Sequence, residues 1–535
     1  MVARAAVTTE ARAGIFDGEP QDVRARHGRR IEKGIRVCNS LLHQSGVMRT
    51  MYFMRPNIIL LTTDQQRGDC LGIDENAPAC LQTPTLDALA RAGTRFRRGY
   101  AECPSCIPSR RCLLTGTAPA AHGMVGMQGH DWNPPHTLPG ELQRAGYHTY
   151  LIGKLHLQPR GKRFGFDHQQ LSDSPLYPGD DYARWLQEAH GLFDLDAGSA
   201  HGQDPNGWNA RPTQLREDQT HTHWCVSQAL EFLKYKRDPS APFFLNLSLF
   251  DPHPPLAPPA FHYDRYIRRQ LPPPVIGDWA EPWEAPQKGL APSAWRIKLD
   301  DQQMHCTRAA YYATINFIDD QIGRLLVFLT RNKLLKNTWI LFTSDHGEML
   351  GDHNLFRKCR PYEGSARVPF FVVPPGPADL PRNNVCEQPV GLQDVMPTLL
   401  DIAGVPIPKA CTGHSLLPVI RGDRKPVRDV LHGEHAGQYE SADAMHYLVS
   451  NRFKYVWYSQ RPDEQLFDLQ ADPNELHDLA RAADAAKLLR PWRERLCKIL
   501  KDRPEKFVRG GKLRLGALHR CHLPHLQGDR FYPFT

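Results

Sequence analysis

The sequence predicts an α/β fold, in which a large, mostly parallel central sheet is flanked by helices and followed by a smaller C-terminal α+β subdomain. Between about residues 53 and 430, short apolar runs alternate with helical patterns, which is typical of βαβ units. After residue 430 the pattern changes to short strands that follow one another closely. The composition fits a folded chain, because 41% of the 535 residues are hydrophobic and 23% are charged.

The main domain contains several elements that the sequence marks clearly. Residues 57–63 (NIILLTT) form an apolar run that predicts the first buried strand. The Thr-Pro pair at 83–84 opens a helix that Gly93 ends, with the proline at a position that helices tolerate. An amphipathic pattern over residues 308–332 predicts a long helix, which leads into a further buried strand at residues 339–343.

The hydrophobic pattern changes after about residue 430 and predicts separate segments. The runs HYLVSNRFKYVWY and QLFDL indicate short antiparallel strands, and residues 484–501 indicate a helix. Together with the Arg-rich, aperiodic N-terminus, these patterns predict four segments: a disordered extension (1–52), the main domain that carries the candidate catalytic residues (53–430), an antiparallel-sheet and helix subdomain (431–505) and a basic tail (506–535).

Charge and cysteine content exclude several classes of protein. The formal net charge is +8, but the basic surplus lies in the two ends, which favours a solvated basic tail over a nucleic-acid-binding surface. No apolar run reaches the roughly 18 residues of a membrane-spanning helix, and the N-terminus lacks an apolar signal block, so we expect a soluble, cytoplasmic protein with no membrane partner. Thirteen irregularly spaced cysteines without an export signal make a disulfide framework improbable.

Polar residues of catalytic type follow four of the apolar runs. Asp64 and Gln65 follow the first strand, and Asp345 and His346 follow the strand at residues 339–343. The run at residues 148–152 and the run at 242–250 are likewise followed by residues of this type: Lys154 and His156 after the first, Asp251 and His253 after the second. In open α/β sheets the ligand crevice lies beyond the carboxyl ends of the strands, so we expect these side chains to meet at one edge.

The segment CPSCIPSRRCLLTG (103–116) adds a cysteine at a predicted helix start. Cys106 stands at or just before the N-terminus of a short helix that Gly116 ends, where free backbone N–H groups favour an anion. Arg110 adds a planar, permanently charged group that suits oxygen ligands. The residues leave three interpretations open: half of a zinc site with Cys103, a plain buried thiol, or a reactive position that faces an anionic substrate.

This segment resembles the signature of type I sulfatases in the alkaline-phosphatase superfamily, which reads C-x-P-S-R followed by T-G. The resemblance extends over about residues 55–480 and implies an alkaline-phosphatase-like sheet. Further segments that resemble the family are TTDQQRGDCLG (62–72), GKLH (153–156), SDHGEMLGDHNLFRKCRPYEGSARVPF (344–370), QDVMPTLLDIAGV (393–405) and EQLFDLQADPNELHDLA (464–480).

The resemblance implies that a formylglycine-generating enzyme converts Cys106 to formylglycine, whose hydrated aldehyde is the nucleophile. One hydroxyl of the hydrate attacks sulfur and expels the alcohol, and the other then releases sulfate and restores the aldehyde. An unmodified serine would be left with a stable ester, so the modification supplies the second step of a covalent mechanism. The implied activity is hydrolysis of a sulfate ester of a small molecule or a saccharide.

The resemblance also implies one divalent metal ion, held by Asp64, Gln65, Asp345 and His346 together with an oxygen of residue 106. The commoner sulfatase set has Asp at the position of Gln65 and Asn at that of His346. Because the change replaces a carboxylate by an amide and brings in an imidazole, it weakens the case for Ca²⁺ and admits Mn²⁺. The Gln/His pair is more similar to the phosphonate monoester hydrolase branch.

The remaining roles follow from the same resemblance. It implies that Arg110, Lys154 and Lys358 orient and neutralise the sulfate and that His156 helps to release it. It further implies that His253, with Lys358, serves the leaving-group oxygen. From the residues alone, an ordinary loop histidine is the minor alternative for His253, and Arg357 or Arg360 could replace Lys358. Spacing does not settle whether Glu348 or His353 reaches the cleft.

Three functions remain open at this point. A sulfatase is favoured by Ser109 within the signature, since the phosphonate branch tends to have alanine there. A phosphonate monoester or phosphodiester hydrolase is favoured by Gln65 and His346. A binding protein on an inactive scaffold is the third, although every expected catalytic position is filled. No nucleic acid is expected as a partner, and a homo-oligomer is compatible with the chain.

Overall fold

The computed structural model describes residues 55–173, 179–192, 202–280, 291–526 and the strand 531–532. The disordered extension predicted for residues 1–52 lies outside them. Over the described residues the strands are β1 Asn57–Thr63, β2 Thr94–Phe96, β3 Gly99–Tyr100, β4 Gly129–His130, β5 His148–Gly153, β6 His168–Leu171, β7 Phe243–Ser248, β8 Thr338–Ser344, β9 Arg367–Val368, β10 Phe370–Val373, β11 Asn384–Cys386, β12 Val390–Gly391, β13 Leu431–His435, β14 Met445–Val449, β15 Phe453–Tyr458, β16 Glu464–Asp468, β17 Val508–Arg509, β18 Lys512–Leu513 and β19 Phe531–Tyr532.

The central sheet has eight strands in the order β11-β2-β10-β8-β1-β7-β5-β6. β1 pairs in parallel with both β7 and β8, and β5 pairs in parallel with β6 and β7. Only β10 runs antiparallel to its two neighbours in this sheet. The predicted mostly parallel α/β sheet is therefore confirmed, and the carboxyl ends of β8, β1, β7 and β5 lie side by side.

Helices cover both faces of this sheet, since alternate side chains of β1 enter two different apolar cores. Ile58 and Leu60 pack in one core, and Ile59 and Leu61 pack in the other. Strands buried on both faces read as continuous apolar runs, which is what made them visible in the sequence. The α-helices over the described residues are Pro84–Arg91, Cys106–Thr115, Pro119–His122, Leu138–Arg144, Asp181–His190, His221–Glu231, Ala260–Ile267, Asp301–Arg331, Glu363–Ala366, Val395–Ile402, Leu417–Ile420 and Ala485–Leu500.

The long helix begins earlier than its apolar pattern indicates. It spans Asp301–Arg331 rather than starting at residue 308. The side chain of Asp300 caps it by accepting a hydrogen bond from the backbone N–H of Gln303 at 2.8 Å. The first turns are polar, so hydrophobic periodicity misses them, whereas the N-cap aspartate marks the true start. No helix of the described residues is both long and apolar enough to cross a membrane.

The C-terminal subdomain is a four-stranded antiparallel sheet in the order β13-β14-β15-β16. One face packs on the helix Ala485–Leu500, and Tyr455 and Leu496 belong to the same apolar core. The opposite face packs on the main domain, where the Tyr447 hydroxyl donates to the carbonyl of Ala101 at 2.6 Å. The strands and the helix agree with the predicted positions to within one or two residues.

The segment after the helix Ala485–Leu500 is not a solvated tail up to residue 526. Phe507, Leu523 and Leu526 are buried. The backbone N–H of Val125 donates to the carbonyl of Cys521 at 2.8 Å, and that of Leu523 donates to the carbonyl of Gly123 at 2.8 Å. Buried apolar side chains alternate with the basic residues that predicted a tail. These apolar side chains hold the segment against the folded domain.

Candidate active site

The side chains that follow β1, β5, β7 and β8 meet at one edge of the central sheet, as the strand ends predict. Asp64, Lys154, Asp345 and His346 are all buried there. Parallel neighbours deliver their carboxyl ends to the same edge, so four separate segments of sequence form one polar cluster inside an otherwise apolar domain. The cluster is completed by the helix Cys106–Thr115 and by the loop after β8.

Cys106 occupies the first position of that helix. Ser105 before it is extended (φ −158°), and Gly116 ends the helix in the left-handed region (φ 65°), where glycine is favoured. The predicted helix start at Cys106 and stop at Gly116 are confirmed. Cys103, the partner of the zinc half-site interpretation, belongs to no group of metal-type ligands among the described residues.

The Cys106 thiol lies at the centre of the polar cluster. Its Sγ is 3.1 Å from His346 Nε2, 3.3 Å from Lys358 Nζ and 4.0 Å from Lys154 Nζ. Burial and the Asp64 carboxylate favour the neutral thiol, but the two lysines and His346 outweigh them and lower the pKa of Cys106 below its usual value. A nucleophile or an anion at this position is therefore stabilised from several directions.

Asp64, Asp345 and His346 point their donor atoms at one another. His346 Nε2 is 3.6 Å from Oδ1 of Asp64 and 3.6 Å from Oδ1 of Asp345. His346 Nδ1 lies 2.9 Å from the carbonyl oxygen of Gly347, which can only accept, so Nδ1 carries a hydrogen and Nε2 is the nitrogen that faces the cluster. Burial disfavours a charged imidazole, yet Asp345 and Cys106 raise the pKa of His346 to about 9.

These donors fit a divalent cation. Asp64, Cys106, Asp345 and His346 each place one ligand atom within 4.8 Å of the others, and all four residues are buried. Two carboxylates and an imidazole with its second nitrogen fixed by a carbonyl are the donor chemistry of a metal centre. The sequence-predicted ligands are therefore together in space.

Gln65, the unusual member of the predicted ligand set, is held in a specific orientation. Its backbone adopts a positive φ of 68°, and its N–H donates to Oδ1 of Asp345 at 3.2 Å. Its side-chain oxygen accepts a hydrogen bond from Lys358 Nζ at 2.9 Å, while its side-chain NH₂ donates to Oε2 of Glu348. Glu348 thus turns the amide so that its oxygen faces the cluster.

Arg110 contacts the carboxylates of both Asp64 and Asp345. Its Nε donates to Oδ2 of Asp345 at 2.9 Å, and a terminal nitrogen lies 3.3 Å from Oδ2 of Asp64. The other terminal nitrogen donates to the Lys154 carbonyl and to Ser248 Oγ, both at 2.9 Å. Each guanidinium nitrogen thus contacts a protein group. Two of the three nitrogens hold the carboxylates of Asp345 and Asp64 in place.

Lys154 forms the shortest ion pair of the cluster. Its Nζ is 2.5 Å from Oδ2 of Asp64 and lies 4.6 Å above the centre of the Phe250 ring. Burial alone would lower the pKa of Lys154, but Asp64 and Cys106 raise it above its usual value. Burial would likewise raise the pKa of Asp64, but Lys154 and the other cations lower it well below its usual range. Both groups are therefore charged.

Lys358 and His253 form a pair on another side of Cys106. His253 Nδ1 is 2.7 Å from the carbonyl oxygen of Pro254, so this nitrogen carries the hydrogen. Its Nε2 lies 2.8 Å from Lys358 Nζ and accepts from that ammonium. Burial and Lys358 lower the pKa of His253 well below its usual value, so the ring is neutral. The ordinary-loop interpretation of His253 does not account for this contact.

His156 lies at the margin of the cluster. Its backbone N–H donates to Oδ1 of Asp173 at 2.8 Å, and its φ is 52°. Burial, Lys154 and Arg110 lower the pKa of the imidazole well below its usual value. The structure thus brings every sequence-predicted site residue to this edge, with His156 linked to the rest through its electrostatic neighbours.

Sequence reasoning missed two supporting residues and left two undecided. Ser248 contacts Arg110, and Asp173 accepts hydrogen bonds from the backbone N–H groups of Leu155 and His156. Glu348, left undecided, contacts Gln65. His353, the other undecided residue, instead accepts from the N–H of Gly277 and packs against Trp279. In a sequence, a serine or an aspartate at a strand end that contacts a site residue looks the same as one that only hydrogen-bonds the local backbone.

Comparisons with known proteins agree with this site. The sulfatase family model matches residues 56–405, and the model "N-sulphoglucosamine sulphohydrolase, C-terminal" matches residues 351–502. The arylsulfatase of Clostridium perfringens is 40% identical over 86% of this chain and 98% of its own length. The choline-sulfatase of Rhizobium meliloti is 30% identical, over 80% of this chain and 82% of its own length.

Solved structures show the same fold. The crystal structure of the phosphonate monoester hydrolase of Agrobacterium radiobacter superposes with a TM-score of 0.69. It shares 26% sequence identity, and the match covers 84% of this chain and 96% of that one.

Proposed function

This chain belongs to the sulfatase family of the alkaline-phosphatase superfamily, and we propose that it hydrolyses a sulfate monoester to an alcohol and sulfate with residue 106, as formylglycine, as the nucleophile. The observation that carries the proposal is the position of Cys106 Sγ, within 4.0 Å of His346, Lys358 and Lys154 at the start of a helix. The sulfur stands where the oxygens of the hydrated aldehyde would lie.

Residue 106 requires modification for this chemistry. A hydrated aldehyde supplies one hydroxyl for attack on sulfur and a second for release of sulfate, whereas a thiol or a serine offers only one attacking atom. Cys106 is fully buried in the folded chain. We therefore propose that a formylglycine-generating enzyme acts on the segment around residues 103–116 before the domain closes.

Asp64, Gln65, Asp345 and His346 would hold one divalent cation, Ca²⁺ or Mn²⁺. When bound, such an ion polarises sulfate oxygens and lowers the pKa of a neighbouring hydroxyl. The carboxylates and the amide suit Ca²⁺, and the imidazole admits Mn²⁺. Arg110, whose nitrogens contact both aspartates, would keep these ligands in position as well as adding positive charge.

Lys154 and Lys358 place two ammonium groups beside residue 106, where they would neutralise the sulfate. Charge that is already oriented in a buried site stabilises a transition state without reorganisation at the moment of reaction. His156, at the margin of the cluster, would take the proton that leaves the second hydroxyl during sulfate release. Burial, Lys154 and Arg110 lower its pKa, so the ring is in the unprotonated form that can accept a proton.

Lys358 and His253 would serve the departing alcohol. Because His253 Nε2 accepts from the Lys358 ammonium, a proton donated to the leaving oxygen by either group can be replaced by the other. Protonation of the leaving group matters most when the alcohol is a poor leaving group. Choline and saccharides have such alcohols, and the relative named arylsulfatase makes aryl sulfates suitable probes.

Hydrolysis of phosphonate monoesters is the alternative that a specific observation favours. Gln65 and His346 resemble that branch, and a phosphonate monoester hydrolase is among the similar structures. The test is the ratio of kcat/KM for an aryl sulfate to that for a matched aryl phosphonate monoester, measured on protein with verified formylglycine. We expect a ratio well above one, and a ratio well below one would transfer the proposal to the phosphonate reaction.

A further inference from the structure

A second group of buried histidine and carboxylate side chains lies in the C-terminal subdomain. Glu434 in β13 and His446 in β14 are direct cross-strand partners. His519 reaches them from the segment that follows the helix Ala485–Leu500. We call Glu434, His446 and His519 the C-terminal histidine cluster. It shares no residue with the candidate active site.

The cluster has the dimensions of a metal site. Oε2 of Glu434 is 3.7 Å from His519 Nε2 and 3.9 Å from His446 Nδ1, and one ligand atom of each residue lies within 4.8 Å of the others. Tetrahedral zinc with bonds of about 2.0–2.1 Å separates its ligand atoms by roughly 3.4 Å, so small side-chain adjustments suffice. The three side chains are at most 1% exposed.

Polar atoms of this cluster lack hydrogen-bond partners within the described residues. They are Oε2 of Glu434, Nε2 of His446 and Nε2 of His519, all buried. A buried polar atom without a partner costs about 1–3 kcal/mol, and native structures rarely leave three side by side. A cation among them would satisfy all three residues at once.

The other polar atoms of the cluster are held by neighbours. Oε1 of Glu434 accepts from Arg503 at 2.8 Å. His519 Nδ1 lies 3.3 Å from Ser459 Oγ, and His446 Nδ1 lies 3.2 Å from His432 Nε2. Outer contacts of this kind orient ligating side chains and fix which nitrogen is free to bind. His432 contacts Nδ1, so Nε2, which has no hydrogen-bond partner among the described residues, is the His446 nitrogen left for a cation.

The charge balance leaves room for a cation. Arg503 pairs with Glu505 at 2.7 Å as well as with Glu434, so the two carboxylates and one guanidinium sum to a single negative charge. Two imidazoles and one carboxylate suit Zn²⁺ better than Ca²⁺ or Mg²⁺.

We propose that Glu434, His446 and His519 form a second metal site that binds Zn²⁺ or a similar divalent transition-metal ion. The ion joins β13 and β14 to the C-terminal segment. His435, the residue after Glu434, has its Nε2 2.9 Å from Ser105 Oγ, directly before Cys106. The site therefore stabilises β13, which contacts the residue before the helix Cys106–Thr115. It does not contact the substrate.

The test separates this site from the candidate active site by variants. Asp64→Asn with Asp345→Asn weakens the first site, so zinc retained after removal of all metal, dialysis against Zn²⁺ and desalting reports the second. We expect about one equivalent of zinc, as a preformed buried site predicts. His446→Gln with His519→Gln, added to that protein, should remove it, whereas His477→Gln, an exposed histidine outside the cluster, should not.

Cobalt absorption provides a second readout, which reports the coordination geometry of the site. After removal of metal, titration with Co²⁺ should give the strong visible absorption bands of a four-coordinate cobalt site, and these should persist in the Asp64→Asn, Asp345→Asn protein. Absence of both retained zinc and these bands in a folded Asp64→Asn, Asp345→Asn protein would overturn the proposal. Zinc retained after loss of His446 and His519 would overturn it equally.

Discussion

The candidate active site and the C-terminal histidine cluster are two buried groups of acids and histidines that differ in charge and origin. Around Cys106, three cations (Arg110, Lys154 and Lys358) surround two aspartates. In the C-terminal cluster one guanidinium, that of Arg503, faces two carboxylates. Excess fixed positive charge suits a site that receives an anionic substrate, whereas the C-terminal cluster attracts only a cation.

The two groups also differ in what places them. The candidate active-site residues follow the ends of parallel strands, so the topology of the sheet brings them together at one edge. Glu434 and His446 lie within strands, and the helix Ala485–Leu500 and the C-terminal segment cover their face. We infer that one polar cluster serves chemistry and that the other holds segments of the chain together. The following changes should separate these roles.

The largest effect should come from Cys106→Ala. Loss of the nucleophile should lower kcat/KM for an aryl sulfate by about 10⁴-fold or more, as for other residues that act covalently. The melting temperature should change little, because alanine fits the first position of the helix. Cys112→Ala, a buried cysteine in the same helix, is the matched control and should keep its activity. Undiminished turnover in Cys106→Ala would contradict the assignment.

Removal of the active-site metal should have the next largest effect. Asp345→Asn should lower kcat/KM by about 10²–10³-fold, the size expected when a charge-stabilising element is lost. A chelator should do the same to the wild-type protein, and Ca²⁺ or Mn²⁺ should restore it. If the chelated protein recovered with Zn²⁺ alone, the C-terminal cluster rather than Asp345 would be the metal site that activity requires.

His253→Gln should reduce turnover by about 10²-fold for substrates with poor leaving groups and by much less for a nitrophenyl sulfate. The reason is that the Lys358–His253 pair would donate a proton only where the departing oxygen needs one. A plot of log kcat/KM against the pKa of the leaving alcohol should steepen in the variant. An equal loss for all substrates would instead indicate that His253 merely positions Lys358.

Phe507→Ala should have the smallest effect on turnover but a large effect on stability. Phe507 is fully buried and packs on the rings of His446, His519 and Trp457. Its truncation should cost about 3–5 kcal/mol in the free energy of unfolding. Leu518→Ala, a change at a side chain that is 63% exposed, should stay within about 0.5 kcal/mol. Equal denaturation midpoints for the two variants would mean that the C-terminal segment is not part of the folded body.

The sequence was sufficient for the central sheet and for the position of Cys106. Both rest on local signals: continuous apolar strands, a proline at a helix start and a glycine at a helix end. The orientation of Gln65 by Glu348 was not predictable, because it depends on a positive φ and on a contact between distant segments. Nor was the path of residues 506–526, since scattered apolar anchors in a basic stretch show no periodicity.

The C-terminal histidine cluster illustrates the same limit. His446 reads as an ordinary residue of a strand, and His519 lies in the segment whose composition indicates a tail. Only the pairing of β13 with β14 and the return of the chain after Phe507 bring them together. Metal sites whose ligands are separated by this much sequence leave no spacing motif.

The most direct test of formylglycine as the nucleophile compares turnover with the fraction of residue 106 that is converted. Preparations made with graded amounts of a formylglycine-generating enzyme would be assayed with an aryl sulfate, and the conversion would be read from the mass of the peptide 99–110. We expect kcat to rise in proportion to the converted fraction and to extrapolate to zero at zero conversion. Equal turnover by a preparation in which Cys106 remains a thiol would contradict it.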